Sequence, residues 1–199
     1  MTATPFRLGL TGSIGMGKTT TAAMFADAGV PVWDADRAVH RLYSAGGAAV
    51  LPLESAFPGC VVEGVVNRSA LTARIAADPG ALARIEAIVH PLVAEDRQRF
   101  LDAATHWIVV LDIPLLFETG AEKWLDATLL VTAPAELQKQ RVMARPGMTE
   151  AMLATILGRQ MPDREKRARA DHIIETLSLT STRACVEALL SYLEGTRHA

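Results

Sequence analysis

Near its N-terminus the chain reads Gly12-Ser13-Ile14-Gly15-Met16-Gly17-Lys18-Thr19, preceded by a short apolar stretch, Phe6 to Thr11, and followed by Thr20 to Ala26, which has helical character. Glycines at these positions let the backbone curl until successive N–H groups point inward together. A strand must lead into such a curl and a helix must lead out of it, and the helix adds about half a positive charge at its first turn. Strand, glycine loop and helix in that order satisfy G-x-x-x-x-G-K-[ST] at every fixed position, the pattern of a loop that cradles phosphates. The fold is thereby confined to layered α/β arrangements and the ligand to a nucleoside triphosphate. Residues Gly12 to Thr20 would supply donors to it, Lys18 would reach the β- and γ-phosphates, and the Thr19 hydroxyl would ligate Mg²⁺. The bland rival is a glycine-rich turn with an accidental lysine.

Strand-length apolar runs recur at Arg7–Thr11, Val30–Trp33, Trp107–Leu111, Ala127–Val131 and His172–Ile174. Their β-branched content and flanking turn residues favour strand over helix. Helical spacing marks Glu136–Ala144 and Glu150–Met161. Alternation of this kind predicts a parallel sheet covered on both sides, with ligands at the C-terminal ends of its strands. Between Asp36 and Trp107 the alternation stops. Helical patterns take over at Ala38–Tyr43, Ala70–Ala77, Gly80–Val89 and Leu92–Ala104. A gap that long is not mere loop. The expected organisation is a nucleotide core from residues 6–36 and 107–199, with a helical insertion at about 37–106 where a second substrate binds. Helices that only cover the outer face of the sheet are the alternative.

Composition narrows the classes. With 50% hydrophobic and 21% charged residues the chain can build a sizeable core. A net charge of −2 argues against a general nucleic-acid binder. No apolar run approaches the ~20 residues that cross a bilayer, and no secretion signal is visible. The cysteines, Cys60 and Cys185, lie far apart without metal-ligand spacing, so idle thiols in a reducing cytosol are the default. The chain is expected in the cytoplasm as a monomer or weak homo-oligomer, with no nucleic-acid or membrane partner.

Acids stand where strands end. Asp34-Ala35-Asp36 follows Val30–Trp33, which places both carboxylates at the ligand edge of a parallel sheet. Phosphoryl transfer to a hydroxyl calls for a carboxylate that orients the acceptor and takes its proton. Asp36 or Asp34 can do this, although Asp34 can equally cap the helix that follows. Asp112 ends the strand at Trp107–Leu111 and suits a Mg²⁺-holding acid beside the phosphate loop. The apolar Ile113-Pro114-Leu115-Leu116-Phe117 run that follows must pack either on a ligand or lid, or into the core.

Charge is uneven. From Lys139 to Arg169 eight basic residues stand against three acidic ones. Gln138, Arg141 and Arg145 fall on one helix face. Arginines so placed can fold over a triphosphate and stabilise transition-state charge; a solvated face is the other reading.

Taken in order, Gly9–Thr19, Asp34–Asp36, Asn67-Arg68, His90-Pro91, Asp112–Glu118 and Gln160–Asp171 closely resemble the dephospho-coenzyme A kinase family, over roughly Arg7 to Glu194. The Asp112–Glu118 and Gln160–Asp171 segments are the particular ones, since many families share the phosphate loop. The resemblance implies a P-loop nucleoside triphosphate hydrolase fold with a five-stranded parallel sheet flanked by helices, a helical substrate-binding insertion and a mobile lid at about 141–170. It implies phosphorylation of the ribose 3′-hydroxyl of dephospho-coenzyme A by ATP with Mg²⁺. It makes Asp36 the base and Arg141 the lid arginine. Thr11, Asp34, Arg37, His90, Pro114, Leu115 and Glu118 fall near the acceptor, and Thr19 and Asp112 near the metal. Two positions depart from the family pattern. Thr176 stands by the adenine where many members carry asparagine, offering one hydroxyl in place of an amide. Pro146 replaces a polar residue at the start of the lid.

Another small-acceptor kinase, for adenylate or shikimate, is the catalytic rival; the helical insertion and the apolar Ile113–Phe117 edge fit a bulkier acceptor. A nucleotide switch that hydrolyses GTP slowly would carry an N-K-x-D guanine-reading motif, and the sequence has none.

Overall fold

The computed structural model describes residues 4–197. Along the chain run β1 (Phe6–Thr11), α1 (Lys18–Asp27), β2 (Val32–Asp34), α2 (Ala35–Tyr43), α3 (Val50–Ala56), β3 (Val61–Val62), β4 (Val65–Val66), α4 (Arg68–Ala77) and α5 (Ala81–Ala103). There follow β5 (Ile108–Asp112), a 3₁₀ turn (Ala121–Trp124), β6 (Ala127–Thr132), α6 (Ala135–Met143), α7 (Glu150–Leu157), α8 (Asp163–Arg169), β7 (His172–Glu175) and α9 (Leu179–Arg197). Two compact units result, one from the chain up to Trp33 and from Ala104 onward, the other from Asp34–Ala103.

The first unit is built on a five-stranded sheet in the order β2-β5-β1-β6-β7. β1 pairs in parallel with β5 on one side and β6 on the other, and β6 with β7. Every residue of β5 and β6 is buried, which is what a strand covered on both faces requires and why these segments read as continuous apolar runs. Phe25 of α1 and Val186, Leu189 and Leu193 of α9 join Leu8, Leu10, Ile108 and Leu129 in one core. Those α9 positions recur at helical spacing. Burying each such side chain contributes about 1.5–3 kcal/mol, enough to hold a helix that would be marginal alone. After β1 the chain moves to the β5 side for β2 and returns to the β6 side only later. The strand order therefore reverses at β1, and a crevice opens beyond its C-terminal end.

The helical unit has its own core, with Leu42, Leu53, Phe57, Leu71, Ile85 and Val89 at its centre. Besides α3, which no helical pattern in the sequence announced, it departs from expectation in two places. Gly80–Val89 and Leu92–Ala104, which read as separate helices around Pro91, form the single helix α5 with Pro91 inside it. A proline there costs about 3 kcal/mol, yet buried Ala81, Ile85 and Val89 before it and half-buried Leu92 and Val93 after it pack on one core, so the apolar contacts continue past it. The sequence pattern also gave no sign of the small hairpin of β3 and β4. Its turn has positive φ at Glu63 (50°) and Gly64 (78°), as tight two-residue hairpins demand.

Candidate active site

β1 delivers the chain into the crevice, and the loop that follows is shaped by its glycines. Gly17 caps α1 with φ 87°, and Gly15 has φ 76°. A side chain at Gly15 would also meet Val142 Cγ2 at 2.5 Å and the Gln138 carbonyl at 3.0 Å, so the loop lies tight beneath α6. Met16 is buried and its sulfur accepts the Ala133 N–H, which pins the loop to the end of β6. Thr11 is buried and its hydroxyl donates to the Pro114 carbonyl at 3.2 Å. Gly12 and Ser13 are buried, Ile14 is half-buried, and Thr19 and Thr20 are exposed in the first turn of α1.

Lys18 opens α1 and pairs with Asp112 at the end of β5. Both belong to the ligand edge of the sheet, since Asp112 stands in register with Leu10 near the end of β1. Beyond Asp112 the apolar run divides. Leu116 and Phe117 are buried with Ala121, while Leu115 stays exposed. Core packing thus accounts for part of this run and leaves Pro114 and Leu115 at the surface of the turn. Glu118 turns onto the later segment: its Oε1 accepts the Met161 N–H at 2.8 Å and pairs with Lys166 Nζ at 2.9 Å. Burial alone would raise the Glu118 pKa. Lys166, and after it the Met161 N–H, outweigh burial and hold the carboxyl below its ordinary range.

Arg141 lies on α6 and reaches the loop. Its guanidinium donates to the Thr176 hydroxyl at 2.9 Å, to the Thr176 carbonyl and to the Gly15 carbonyl. The Thr176 hydroxyl in turn donates to the Met16 carbonyl at 2.9 Å. Thr176 is therefore committed to holding loop and arginine together. Arg141 and Arg145 line a cavity of about 470 Å³ with Gly15, Gly17, Thr20 and Thr176, a size typical of small-ligand sites. Two cations facing a cradle of loop donors suit an anionic ligand.

In the other unit Asp34 caps α2, accepting the Arg37 N–H at 2.9 Å, and pairs with the Arg37 side chain at 3.5 Å. Asp36 lies in the first turn of the same helix, is exposed, and has no hydrogen bond or ion pair among the described residues. Of the two aspartates left open by the sequence, the cap occupies Asp34 and leaves the Asp36 carboxylate uncommitted. His90 is exposed on α5, immediately before Pro91.

Sequence reasoning missed several supports. Gln138 Nε2 donates to the Ile14 carbonyl at 2.8 Å, and Gln160 Oε1 accepts the Ile14 N–H at 3.3 Å. Asp163 and Arg167 of α8 bind Thr132 at the end of β6, and Arg167 also pairs with Glu175 at the end of β7. The signal was present as polar residues recurring within Gln160–Asp171, but their partners lie far away in sequence.

Among the described residues no group of three or more His, Cys, Asp or Glu side chains could hold a metal ion. A Mg²⁺ that arrives with a triphosphate asks for less, because it keeps waters and phosphate oxygens and takes only one or two protein oxygens. The Thr19 hydroxyl and the Asp112 carboxylate are donors of that kind.

A phosphate loop at the switch point of a parallel sheet, with an arginine from a following helix brought onto it, is the architecture of the P-loop kinases. Comparison with known proteins narrows the class. A family model described as dephospho-CoA kinase matches residues 6–180, and the chain belongs to that family. It is similar to the dephospho-CoA kinase of Cereibacter sphaeroides, 62% identical over 98% of this chain and 99% of that one. Among solved structures it is similar to TT1252 from Thermus thermophilus, with a TM-score of 0.86 and 38% identity over 96% of this chain and 99% of that one. It is also similar to the dephospho-CoA kinase from Campylobacter jejuni, with a TM-score of 0.69 and 25% identity over 96% and 98% of the two chains. The chain is accordingly a kinase of the final step of coenzyme A biosynthesis.

Proposed function

We propose that the chain moves the γ-phosphoryl group of ATP onto the ribose 3′-hydroxyl of dephospho-coenzyme A. The new bond joins the 3′-oxygen to Pγ, the bond from Pγ to the β-phosphate oxygen breaks, ADP leaves, and the hydroxyl proton passes to the Asp36 carboxylate. The observation that carries this reading is the cradle of Gly12–Thr19 with Lys18 at its end and Arg141 fastened beside it. Loop N–H groups and Lys18 hold the β- and γ-phosphates, and Arg141 bears on charge that develops during transfer. Thr19 and Asp112 would hold the Mg²⁺, which neutralises charge on the β- and γ-oxygens.

The nucleoside of ATP occupies the cavity bounded by Arg141, Arg145 and Thr176. With its hydroxyl committed to Met16 and Arg141, Thr176 serves the nucleotide by holding loop and arginine together. We assign the acceptor to Asp36 and His90 and to the Pro114-Leu115 turn, which buried Thr11 fixes through its bond to the Pro114 carbonyl. Asp34 and Arg37 serve by fixing the first turn of α2, and Glu118 by fixing the segment after α7. The segment of about 141–170 acts as the lid, and the helical residues of about 37–106 are the part that binds the acceptor. No helix among the described residues is long and apolar enough to cross a membrane.

A coupled assay of ADP release tests the reading. Turnover is expected with dephospho-coenzyme A and Mg-ATP, and not with AMP or shikimate as acceptor. Turnover with either of those and none with dephospho-coenzyme A would overturn it.

A further inference from the structure

Ile14 is held at both of its backbone polar groups by side-chain amides. Its carbonyl accepts from Gln138 Nε2 at 2.8 Å and its N–H donates to Gln160 Oε1 at 3.3 Å. The two glutamines bracket the segment that carries Arg141, Arg145 and α7, with Gln138 on α6 before it and Gln160 after it. Neither is free to wander. Gln138 is buried, and the residue after Gln160, Met161, is tied through its N–H to Glu118.

The consequence follows from the planarity of the peptide. In the unit joining Ile14 to Gly15 the carbonyl and the Gly15 N–H point in opposite directions. Holding the Ile14 carbonyl toward Gln138 therefore aims the Gly15 N–H away from α6. Gly15 has φ 76°, in a region open to glycine, so nothing in the residue itself prevents this peptide from turning over. A flipped peptide would direct a carbonyl oxygen, not a donor, at a phosphate. The preceding unit is fixed in the same way: its Ile14 N–H is taken by Gln160, and its Ser13 carbonyl accepts the Met16 N–H at 3.1 Å.

We propose that Gln138 and Gln160 are positioning residues that clasp Ile14, keep the loop donors aimed at the triphosphate, and make that aim depend on the seating of the segment between them. The proposal rests on the loop being the triphosphate site. The chemistry of the clasp is asymmetric. Position 138 must donate to a carbonyl, and position 160 must accept from an N–H. A carboxylate can do the second and not the first.

Mg-ATP binding by calorimetry, with initial-rate kinetics, tests this on Gln138→Met, Gln160→Met, Gln138→Glu and Gln160→Glu. Each methionine variant is expected to weaken Mg-ATP binding by about tenfold, the equivalent of one net hydrogen bond, with the KM for dephospho-coenzyme A within about twofold of the parent. Both glutamate variants add the same charge beside the same residue, so charge cancels between them. Gln160→Glu is expected to bind Mg-ATP about fivefold or more tighter than Gln138→Glu, since only it keeps its bond. Methionine variants that bind Mg-ATP as the parent does would overturn the clasp, as would equal losses in the two glutamate variants. A lower melting temperature with unchanged ATP affinity would reduce both residues to packing and also overturn it. Failure of the parent itself to bind Mg-ATP would instead strike the triphosphate reading.

Discussion

Lys18 and Asp112 form an ion pair that ties the start of α1 to the end of β5, with side chains only 17% and 4% exposed. On the proposed reading a triphosphate takes the place of Asp112 as partner of the lysine. Lys18→Ala is expected to cut phosphoryl transfer by about a hundredfold or more while the protein remains folded. Asp112 keeps a further interaction without the lysine, so the substitution does not leave its carboxylate alone. Rates measured beside a melting curve check this; gross unfolding at ambient temperature would remove the argument that Lys18 serves the ligand.

Asp36→Asn separates binding from chemistry. The amide keeps the size of the carboxylate and cannot accept the hydroxyl proton. Mg-ATP affinity is expected to stay within about twofold while turnover falls about a hundredfold or more. Turnover within about threefold of the parent would mean that some other group takes the proton.

The Thr176 hydroxyl bridges Met16 and Arg141, so its loss strikes the loop and the arginine together. Thr176→Val keeps the shape and leaves buried partners unmet, which costs about 1–3 kcal/mol and weakens Mg-ATP binding. Thr176→Ser restores the hydroxyl and should behave as the parent. Denaturant melts and ATP titrations on the pair decide the matter; a serine variant as impaired as the valine would show that the methyl group, not the hydroxyl, is what counts.

Acid should loosen the first unit through carboxylates held below their ordinary range. Burial works against the Glu118 charge, but Lys166 and the Met161 N–H prevail, and Asp126 is held down first by its hydrogen bond from Arg7. In the unfolded chain both return to ordinary values. Their contribution is therefore fully present above the ordinary carboxylate range and is lost as pH falls through that range toward the lower native values. Melting temperature followed downward from neutral pH is expected to drop through this window. Glu118→Gln, which leaves Lys166 buried without its counter-charge, should be less stable at neutral pH and lose less on acidification. A variant with the acid slope of the parent would place the titration elsewhere.

Legibility in the sequence followed locality. The phosphate loop could be read because Gly12, Gly17, Lys18 and Thr19 act within one turn of chain. The strands could be read because burial on both faces leaves unbroken apolar runs such as Ile108–Leu111. Whether Asp34 or Asp36 was the free acid could not be read, since both suit a strand end; the Asp34 cap on Arg37 separates them. Pro91 argued for a helix break that continuous packing overrode. Lys166 is wholly buried, against the rule that lysines face water, because Glu118 meets it from a distant turn.

The order of residues by itself determined that a strand, a glycine curl and a helix would make a phosphate cradle, because that geometry needs only neighbours in the chain. Tertiary structure alone decided what steadies the cradle. Gln138, Gln160, Arg141 and Thr176 reach it from positions more than a hundred residues downstream. A hydrogen bond depends on distance and angle in space, and a polar residue's type does not say which distant group the fold will bring within its reach.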